Sequence, residues 1–320
     1  MEDAGVIRVR ISSTDLSIQK VADMPKLALK VDVNTYRGTR AGVPRLVAAM
    51  QRHQVKASFF FTLGKDRTGR VIKCIFRPGF LAKALRISAW RHCGIKTLLY
   101  GTLLPAPDIG RKCADMMRSV RDADFEVGIH CYDHIRWQDH VATRDIKWTK
   151  RELQRAVDRF TEIFGTAPKA HAAAGWQLNR YALRLMQRFG FNYTSDTRGT
   201  HPYIPVWDAE IIACPQLPTT LPTLDELINR DGITLDNAAQ HLLQLTKNPP
   251  PDGHVFTLQA EFEGGKWLPV FEQLLEGWKV QGYDIVSLQS YFASLPASLP
   301  RHEIAMRVVE GSIGMQAVQV

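Results

Sequence analysis

Two histidines in the segment HCYDHIRW (130–137) have the residue type and the spacing of metal ligands. His130 and His134 are four residues apart, a spacing that on one turn of helix places both imidazoles on the same face. A divalent ion held by two imidazoles usually takes a carboxylate as third ligand and then activates a water molecule. A chance pair of exposed or core histidines could have the same spacing. These two follow a predicted strand, however, which favours the metal interpretation.

Polar residues that could join such a site follow other predicted strands. They are Asp32 and Asn34 after the first strand, Asp196 at the fifth, and Gln259 and Glu261 late in the chain. The carboxyl ends of the strands meet at one face of a parallel barrel, so distance along the sequence does not prevent these side chains from sharing one site.

The elements that must position these residues alternate between strand and helix patterns. Strand patterns occupy 26–33, 56–62, 125–130, 170–175, 191–196, 254–261 and 283–287. Helix patterns occupy 41–53, 111–122, 143–165, a stretch that ends near residue 189, 235–246 and 267–282, and a short helix follows. This alternation predicts parallel βα units. The connector PPPDG is too short for a domain linker, so we expect an N-terminal extension over 1–25 and one α/β domain over 26–320.

Length and composition exclude several classes of protein. The chain has 320 residues, of which 45% are hydrophobic and 23% charged, which excludes a mostly disordered chain, a collagen and a coiled coil. Its five cysteines are odd in number and widely spaced, which favours a reducing compartment over a disulfide scaffold. No apolar stretch is long enough to span a bilayer, and the first residues lack the pattern of a secretory signal.

The positive charge of the chain is concentrated in one segment. The formal net charge is +9, and residues 65–121 hold 13 Lys and Arg residues against 3 Asp residues. Between those charges the segment 71–105 is apolar and aromatic, a composition that suits contact with anionic lipid. The same composition is also typical of a solvated face on core-packed helices, and from composition alone these two readings are equally good. Binding to nucleic acid phosphates is disfavoured because the chain contains no recognised nucleic-acid motif.

Seven blocks occur together and in order: DVNTYRGTRAGVPRL (32–46), KASFFFTLGKDRTGR (56–70), EVGIHCYDHIRW (126–137), AAAGW (172–176), YTSDTRG (193–199), LPTTLPTLDEL (217–227) and TLQAEFEG (257–264). In these blocks the chain resembles the polysaccharide deacetylase (NodB-homology) family. Within that family it is similar to the bacterial deformylases that act on an undecaprenyl-phosphate-linked 4-formamido-arabinose. The resemblance runs from about residue 26 to the C-terminus and includes the basic segment.

The resemblance implies a distorted (β/α)7-type barrel whose basic, apolar insertion, about 65–121, contacts the membrane. It also implies hydrolysis of a formyl amide on a lipid-linked sugar, a step in lipid A modification and in resistance to cationic peptides. The implied partners are this lipid-linked sugar and the anionic surface of the bacterial inner membrane, where the protein would lie peripherally on the cytoplasmic face. Nucleic acid is not an implied partner.

The resemblance also assigns roles to individual residues. Asp32 matches the general base, and a divalent ion, zinc or another transition metal, would be bound by His130, His134 and Asn34. Gln259 occupies the position of the general acid, and Asp196 matches the block that orients that acid.

Two of these positions depart from the family pattern. The D-x-D motif reads Asp32-Val-Asn34, and a neutral amide should bind a divalent ion less tightly than a carboxylate. Gln259 replaces the acid histidine and cannot deliver a proton, a loss that typically costs about 10²–10⁴ in rate. The alternative is therefore a homologue that binds the lipid-linked sugar without efficient hydrolysis. Glu261 or Asp133 could compensate as a proton donor or as support for the ligands.

Three further residues are candidates for contact with the substrate. Trp176 could stack on the sugar ring, Arg198 could pair with the sugar phosphate, and Glu261 lies close to Gln259 in the sequence. Trp176 could equally be a core residue and Arg198 a surface arginine. Cys131 beside His130 is interpreted as a small buried residue and not as a nucleophile.

Overall fold

The structure, a computed structural model, describes residues 24–70, 94–312 and 314–320. Its strands are β1 (Lys26–Val33), β2 (Ser58–Thr62), β3 (Glu126–Cys131), β4 (Ala170–His171), β5 (Tyr193–Thr194), β6 (Ile204–Trp207), β7 (Glu210–Ile211), β8 (His254–Gln259), β9 (Asp284–Ser287), β10 (Arg301–Val308) and β11 (Met315–Gln319). Its α-helices are α1 (Val43–Arg52), α2 (Ile95–Leu99), α3 (Ile109–Lys112), α4 (Ala114–Asp122), α5 (His134–His140), α6 (Ile146–Phe164), α7 (Arg180–Phe189), α8 (Leu224–Leu227), α9 (Leu235–Leu245), α10 (Leu268–Val280) and α11 (Leu288–Ala293). A π-helical turn spans Gly38–Gly42, and 3₁₀ turns span Val141–Thr143 and Ala174–Trp176.

Seven parallel strands form the main sheet in the order β5-β4-β3-β2-β1-β8, and β9 also pairs with β1. Strand β1 is central: β2 pairs with its second half and β8 with most of its length. Asp32 is level with Phe60 of β2 and with Gln259 of β8. The alternation of strands and helices therefore confirms the expected α/β fold with a curled parallel sheet.

The segment 215–220 connects the two edge strands of this sheet. Thr194 of β5 donates its backbone N–H to Pro215 O, and Leu217 N donates to Thr194 O (both 2.8 Å). At the other end of the segment, Thr220 N donates to Val255 O of β8 (3.0 Å). The segment thus satisfies the exposed backbone groups of both edges, which gives the sheet the character of a distorted barrel.

Successive residues of β1 pack into two separate cores. Leu27, Leu29, Val31 and Val33 join the large cluster between the sheet and the helices, whereas Ala28 joins a small cluster inside the barrel. The strand is buried on both faces, as in other parallel sheets, which explains its nearly continuous apolar sequence. Lys30 and Asp32 follow Ala28 by two and four residues and therefore lie on the same face of β1. Their side chains point into the barrel, next to the small apolar cluster.

A second, four-stranded sheet has the order β11-β10-β6-β7 and was not predicted from the sequence. It rests on the end of β5, where Arg198 N donates to Ala317 O and Gln319 N donates to Arg198 O (both 2.8 Å). One face of strand β10 is exposed at Arg301, Glu303 and Arg307, whereas Ile304 and Met306 on the other face contact the large core, so the alternation in its sequence was an available signal.

The predicted insertion over 65–121 consists of parts with different surroundings. Residues 71–93 of it lie outside the described part of the chain. In helices α3 and α4, Ile109, Met117 and Val120 are buried against the large core, so these helices are part of the barrel wall. Between them and β2, Leu103 is 81% exposed and Lys96 is also exposed. The membrane contact of the insertion stays a prediction, and in α3 and α4 it would have to involve the exposed face that carries Arg111, Lys112 and Arg118.

Candidate active site

The end of β1 places a carboxylate and a lysine inside the barrel. Asp32 is almost fully buried, and its Oδ2 lies 3.7 Å from Nζ of Lys30, which is 0% exposed. Lys30 also donates to the backbone oxygen of Ser195 (2.9 Å), and its ammonium lies 5.0 Å from the centre of the Trp176 ring. This lysine was not predicted from the sequence. A cation in the middle of a buried strand pattern was the available signal.

His130 and His134 come together, but not on one helical turn as the spacing suggested. His130 lies in β3, and His134 is the first residue of α5. A short turn between the two elements stacks the rings, with centroids 5.5 Å apart and planes inclined by 19°. His130 Nδ1 lies 3.7 Å from Asp32 Oδ1, so the end of β3 faces the end of β1.

Glu261 holds Asn34 and the turn that follows it. Its Oε1 accepts hydrogen bonds from the backbone of Asn34 (3.1 Å) and from both the backbone and the hydroxyl of Thr35 (2.8 Å each). Its Oε2 accepts a bond from Asn34 Nδ2 (3.3 Å). Because the amide nitrogen faces this carboxylate, Asn34 Oδ1 points away from it, buried and with no hydrogen-bond partner among the described residues. Glu261 therefore orients an amide oxygen and is not free to contact the substrate in this arrangement.

The buried atoms that lack partners fit a divalent ion by their chemistry. Among the described residues, Asp32 Oδ1, Asn34 Oδ1 and both ring nitrogens of His130 are buried without a hydrogen bond. Leaving such groups unsatisfied costs about 1–3 kcal/mol each, so a cluster of them suggests a missing ion or ligand. Within residues 24–70, 94–312 and 314–320, no three His, Cys, Asp or Glu side chains form a metal-binding group, and the predicted ligand set differs from such a group by including the Asn34 amide.

Burial shifts the pKa values of these groups in a direction that suits metal binding. Burial lowers the pKa of His130 well below its usual range, and the neighbouring His134 and Lys30 lower it further. Burial lowers the pKa of His134 to about 4, so both imidazoles are neutral near pH 7 and can act as ligands. Burial raises the pKa of Asp32 to about 6, although Lys30 opposes the shift. A carboxylate with that pKa is suited to act as a general base near neutral pH.

Asp196 contacts a histidine that sequence reasoning did not identify. His171 Nδ1 donates to Asp196 Oδ1 (2.7 Å), and this oxygen also accepts the backbone N–H of Ala173 (2.7 Å). His171 Nε2 and Asp196 Oδ2 are buried without partners in the described structure. His171 ends the observed strand β4, but the predicted strand extended over 170–175, so the strand-end rule did not select it.

Gln259 faces an aspartate instead of open space. Its Nε2 donates to Asp225 Oδ1 (3.0 Å), and its backbone N–H donates to Glu263 Oε2 (2.8 Å). Burial raises the pKa of Glu263 to about 8 and raises the pKa of Glu261. The end of β8 thus carries buried carboxyl groups, but the side chain at the position of the expected acid is already hydrogen-bonded.

Trp176 and Arg198 pack against each other in the interior. Trp176 is 6% exposed and donates from Nε1 to Thr219 Oγ1 (3.0 Å), and the Arg198 guanidinium lies 4.9 Å from its ring centre. Arg198 is buried: its Nη1 lies 3.2 Å from both carboxylate oxygens of Glu226, and its Nη2 donates to Leu221 O (3.1 Å). In this arrangement Arg198 is neither the surface arginine of the alternative reading nor a free partner for a phosphate.

Asp133 has a structural role at the start of α5. Its Oδ1 accepts the backbone N–H of Arg136 (3.1 Å), which caps the helix, and its Oδ2 pairs with Arg67. Cys131 is buried and free, and burial raises the pKa of its thiol well above the usual range, in agreement with a packing role.

Comparisons with known proteins agree with this architecture. The sequence model of the polysaccharide deacetylase family matches residues 21–194. The chain is 37% identical over 293 residues to a protein of Shewanella sediminis named probable 4-deoxy-4-formamido-L-arabinose-phosphoundecaprenol deformylase ArnD, covering 91% of this chain and 94% of that protein. A protein of the same name from Wigglesworthia glossinidia brevipalpis is 31% identical, with 88% of this chain and 98% of that protein covered.

Solved structures show the same fold at low sequence identity. A polysaccharide deacetylase homologue from Mycobacterium smegmatis aligns with a TM-score of 0.60 and 16% identity, over 90% of this chain and 96% of the other. In the described residues, none of the helices has the length and hydropathy needed to cross a membrane.

Proposed function

Because the chain belongs to the polysaccharide deacetylase family and has relatives named as deformylases, we propose that it removes the formyl group from an undecaprenyl-phosphate-linked 4-formamido-arabinose. The curated relatives carry that activity in their name and match nearly their whole length. Such a reaction belongs to lipid A modification and would contribute to resistance to cationic peptides.

One structural observation carries this proposal. At the face where β1 and β3 end, His130 Nδ1 lies 3.7 Å from Asp32 Oδ1, and buried polar atoms of Asp32, Asn34 and His130 have no hydrogen-bond partners among the described residues. Two neutral imidazoles and an amide oxygen would hold a divalent ion such as zinc. When bound, the ion supplies Lewis-acid polarisation of the formyl carbonyl.

Asp32 is the group that moves the proton. It accepts a proton from the attacking water, whose oxygen forms a bond to the formyl carbon. The bond between that carbon and the sugar nitrogen then breaks, releasing formate and a free amine. The leaving nitrogen needs a proton, and Gln259 has none to give because its amide is neutral and bound to Asp225. Asp32, with a pKa of about 6, can return the proton that it accepted.

The second candidate function is binding of the lipid-linked sugar without efficient hydrolysis. Gln259 favours this second function, because it leaves β8 without an acid at the position where the family has one. A histidine restored at position 259 distinguishes the two candidate functions. Gln259→His should raise kcat by roughly 10²-fold with little change in KM if the wild-type chain is a slow enzyme.

We infer a location at the membrane from the proposed substrate and from the predicted insertion. A lipid-linked sugar stays in the bilayer, so the enzyme must approach its surface, and we place this protein peripherally on the cytoplasmic face of the inner membrane. The exposed Leu103 and Leu104, together with the exposed Lys96, support contact through the insertion.

The test is formate release from the lipid-linked formamido sugar by protein loaded with zinc. The wild-type chain should release formate, and Asp32→Asn should slow the release by about 10²–10⁴-fold while the metal content stays within twofold. Absence of formate from the wild type and from Gln259→His, with the metal bound, would refute the hydrolase. Binding of the sugar in that case would identify the second candidate function.

A further inference from the structure

A cavity of about 210 Å³ opens beside the candidate active site and has a cationic rim. It lies between the turn that follows β1 and the turn that follows β8. Its charged lining residues are Arg37, Arg45, Lys266 and Glu261, and small residues and glycines form the rest. We refer to it as the cationic pocket.

Glycines build this pocket by letting the two turns touch through their backbones. A Cβ atom on Gly42 would lie 2.0 Å from Ala260 O, and one on Gly264 would lie 2.6 Å from Gly42 Cα. Real side chains do not tolerate such distances, so any other residue would push the turns apart. The pocket is therefore formed before any ligand arrives, which lowers the entropic cost of binding.

The cations of the pocket are exposed and available. Within the described ranges, none of Arg37, Arg45 and Lys266 lies within ion-pair distance of a carboxylate. Other arginines of the chain, such as Arg159 and Arg184, do have acidic partners. Glu261 is the acidic lining residue, but its oxygens accept bonds from Asn34 and Thr35. A rim with three cations that have no acidic partner in the described part of the chain attracts an anion.

We propose that the cationic pocket binds the phosphodiester of the lipid-linked substrate, an inference that rests on the proposed function. In a sugar phosphorylated at one end and formylated at C4, the phosphate and the formamide lie on either side of the same ring. Glu261 lines the pocket and also bonds Asn34, so the pocket and the candidate ligands are separated by a single side chain. Arg37 also lies against Gly94, which belongs to the predicted membrane-contacting insertion.

The test uses a triple variant with a matched control. Arg37→Gln, Arg45→Gln and Lys266→Gln together remove the three charges and keep side chains that can form hydrogen bonds. The control is Arg40→Gln, because Arg40 is exposed on the same turn, bonds the Tyr36 hydroxyl (3.2 Å) and does not line the pocket. Calorimetry measures binding of undecaprenyl phosphate in neutral micelles, of undecaprenol and of inorganic phosphate, and melting curves and metal content check the fold.

We expect the triple variant to bind undecaprenyl phosphate roughly 10–100-fold more weakly, and to show a similar rise in KM with kcat within about threefold. The control and the metal content should not change. Undecaprenol should bind equally weakly to all variants, since it lacks the anion. Loss of undecaprenyl phosphate binding would support the subsite even if the wild-type chain released no formate, so the two proposals can fail separately.

Three results would overturn the subsite. The first is unchanged affinity of the triple variant for undecaprenyl phosphate, whether or not the wild type releases formate. The second is binding of inorganic phosphate without binding of undecaprenyl phosphate, which would indicate a site for a free anion. The third is an equal loss of binding to phosphatidylglycerol vesicles that contain no undecaprenyl phosphate, which would indicate a general membrane contact.

Discussion

The face at which the carboxyl ends of the parallel strands meet has two halves, which differ in the hydrogen bonding of their polar side chains. The metal half consists of Asp32, Asn34, His130 and His134, and several of its buried atoms have no hydrogen-bond partner among the described residues. The framework half consists of Trp176, Arg198, Gln259 and Glu261, and each of these side chains is hydrogen-bonded within the protein.

The difference indicates where a ligand can gain binding energy. A buried atom without a partner gains the full benefit of a new bond, whereas a saturated one must first lose its existing partner. We therefore place ion binding and proton transfer in the metal half. The framework half holds the ends of β5 and β8 in position, and its members act on the reaction through the residues that they orient.

The largest expected effect is the loss of a metal-half histidine. His130→Ala should lower bound zinc from about one per chain to near zero and slow formate release by roughly 10³-fold, because the ion contributes several kcal/mol to transition-state stabilisation. Elemental analysis and a formate assay measure the two effects. His140→Ala, on the same helix as His134, is the control and should change neither. Retention of zinc by His130→Ala would remove the basis for distinguishing the two halves.

A framework residue should affect stability more than binding. Arg198→Ala leaves the buried Glu226 carboxylate without the partner that Arg198 provides, which should cost about 3 kcal/mol of unfolding free energy. Denaturant melts measure this cost, and KM for the lipid-linked sugar should stay within about threefold. Arg184→Ala, which breaks a more exposed pair with Glu210, should cost less than about 1 kcal/mol. A large rise in KM for Arg198→Ala would instead support its predicted contact with the phosphate.

The sequence was informative about positions and less informative about orientations. Strand patterns placed β1 at its observed bounds, and the strand-end rule selected Asp32, Asn34 and His130 because parallel strands share one active face. Spacing alone misplaced the histidine pair, because a period of four residues does not reveal that a strand ends between His130 and His134.

Tertiary partners account for what could not be predicted. Whether Arg198 is free or paired depends on Glu226, which is 28 residues away, and whether Glu261 contacts substrate depends on Asn34, which is 227 residues away. No local pattern contains such contacts. The C-terminal sheet is a different case, because Ile304 and Met306 of β10 alternate with exposed residues, a local pattern from which this strand could have been predicted.

The smallest expected effect is that of a substitution at Asn34, the residue of the metal half that contacts Glu261 of the framework half. This substitution provides the sharpest test of the comparison. Asn34→Asp adds a charged ligand and should tighten zinc binding by about tenfold, or roughly 1.4 kcal/mol. It also places two carboxylates where Asn34 Nδ2 now donates to Glu261 Oε2 at 3.3 Å, which should destabilise the metal-free protein by about 1–2 kcal/mol. Zinc titration and melting curves with and without metal measure the two opposite effects. Asn192→Asp, at an exposed asparagine, is the control.

A double variant shows whether the two effects share one cause. Adding Glu261→Gln to Asn34→Asp lets an amide donate to the new carboxylate, so the metal-free protein should regain most of the lost stability while zinc stays tightly bound. If the oxygen of residue 34 is not a ligand, zinc affinity will not respond to either change. If zinc affinity rises without any loss of metal-free stability, Glu261 does not orient that oxygen, and the two halves are not coupled through it.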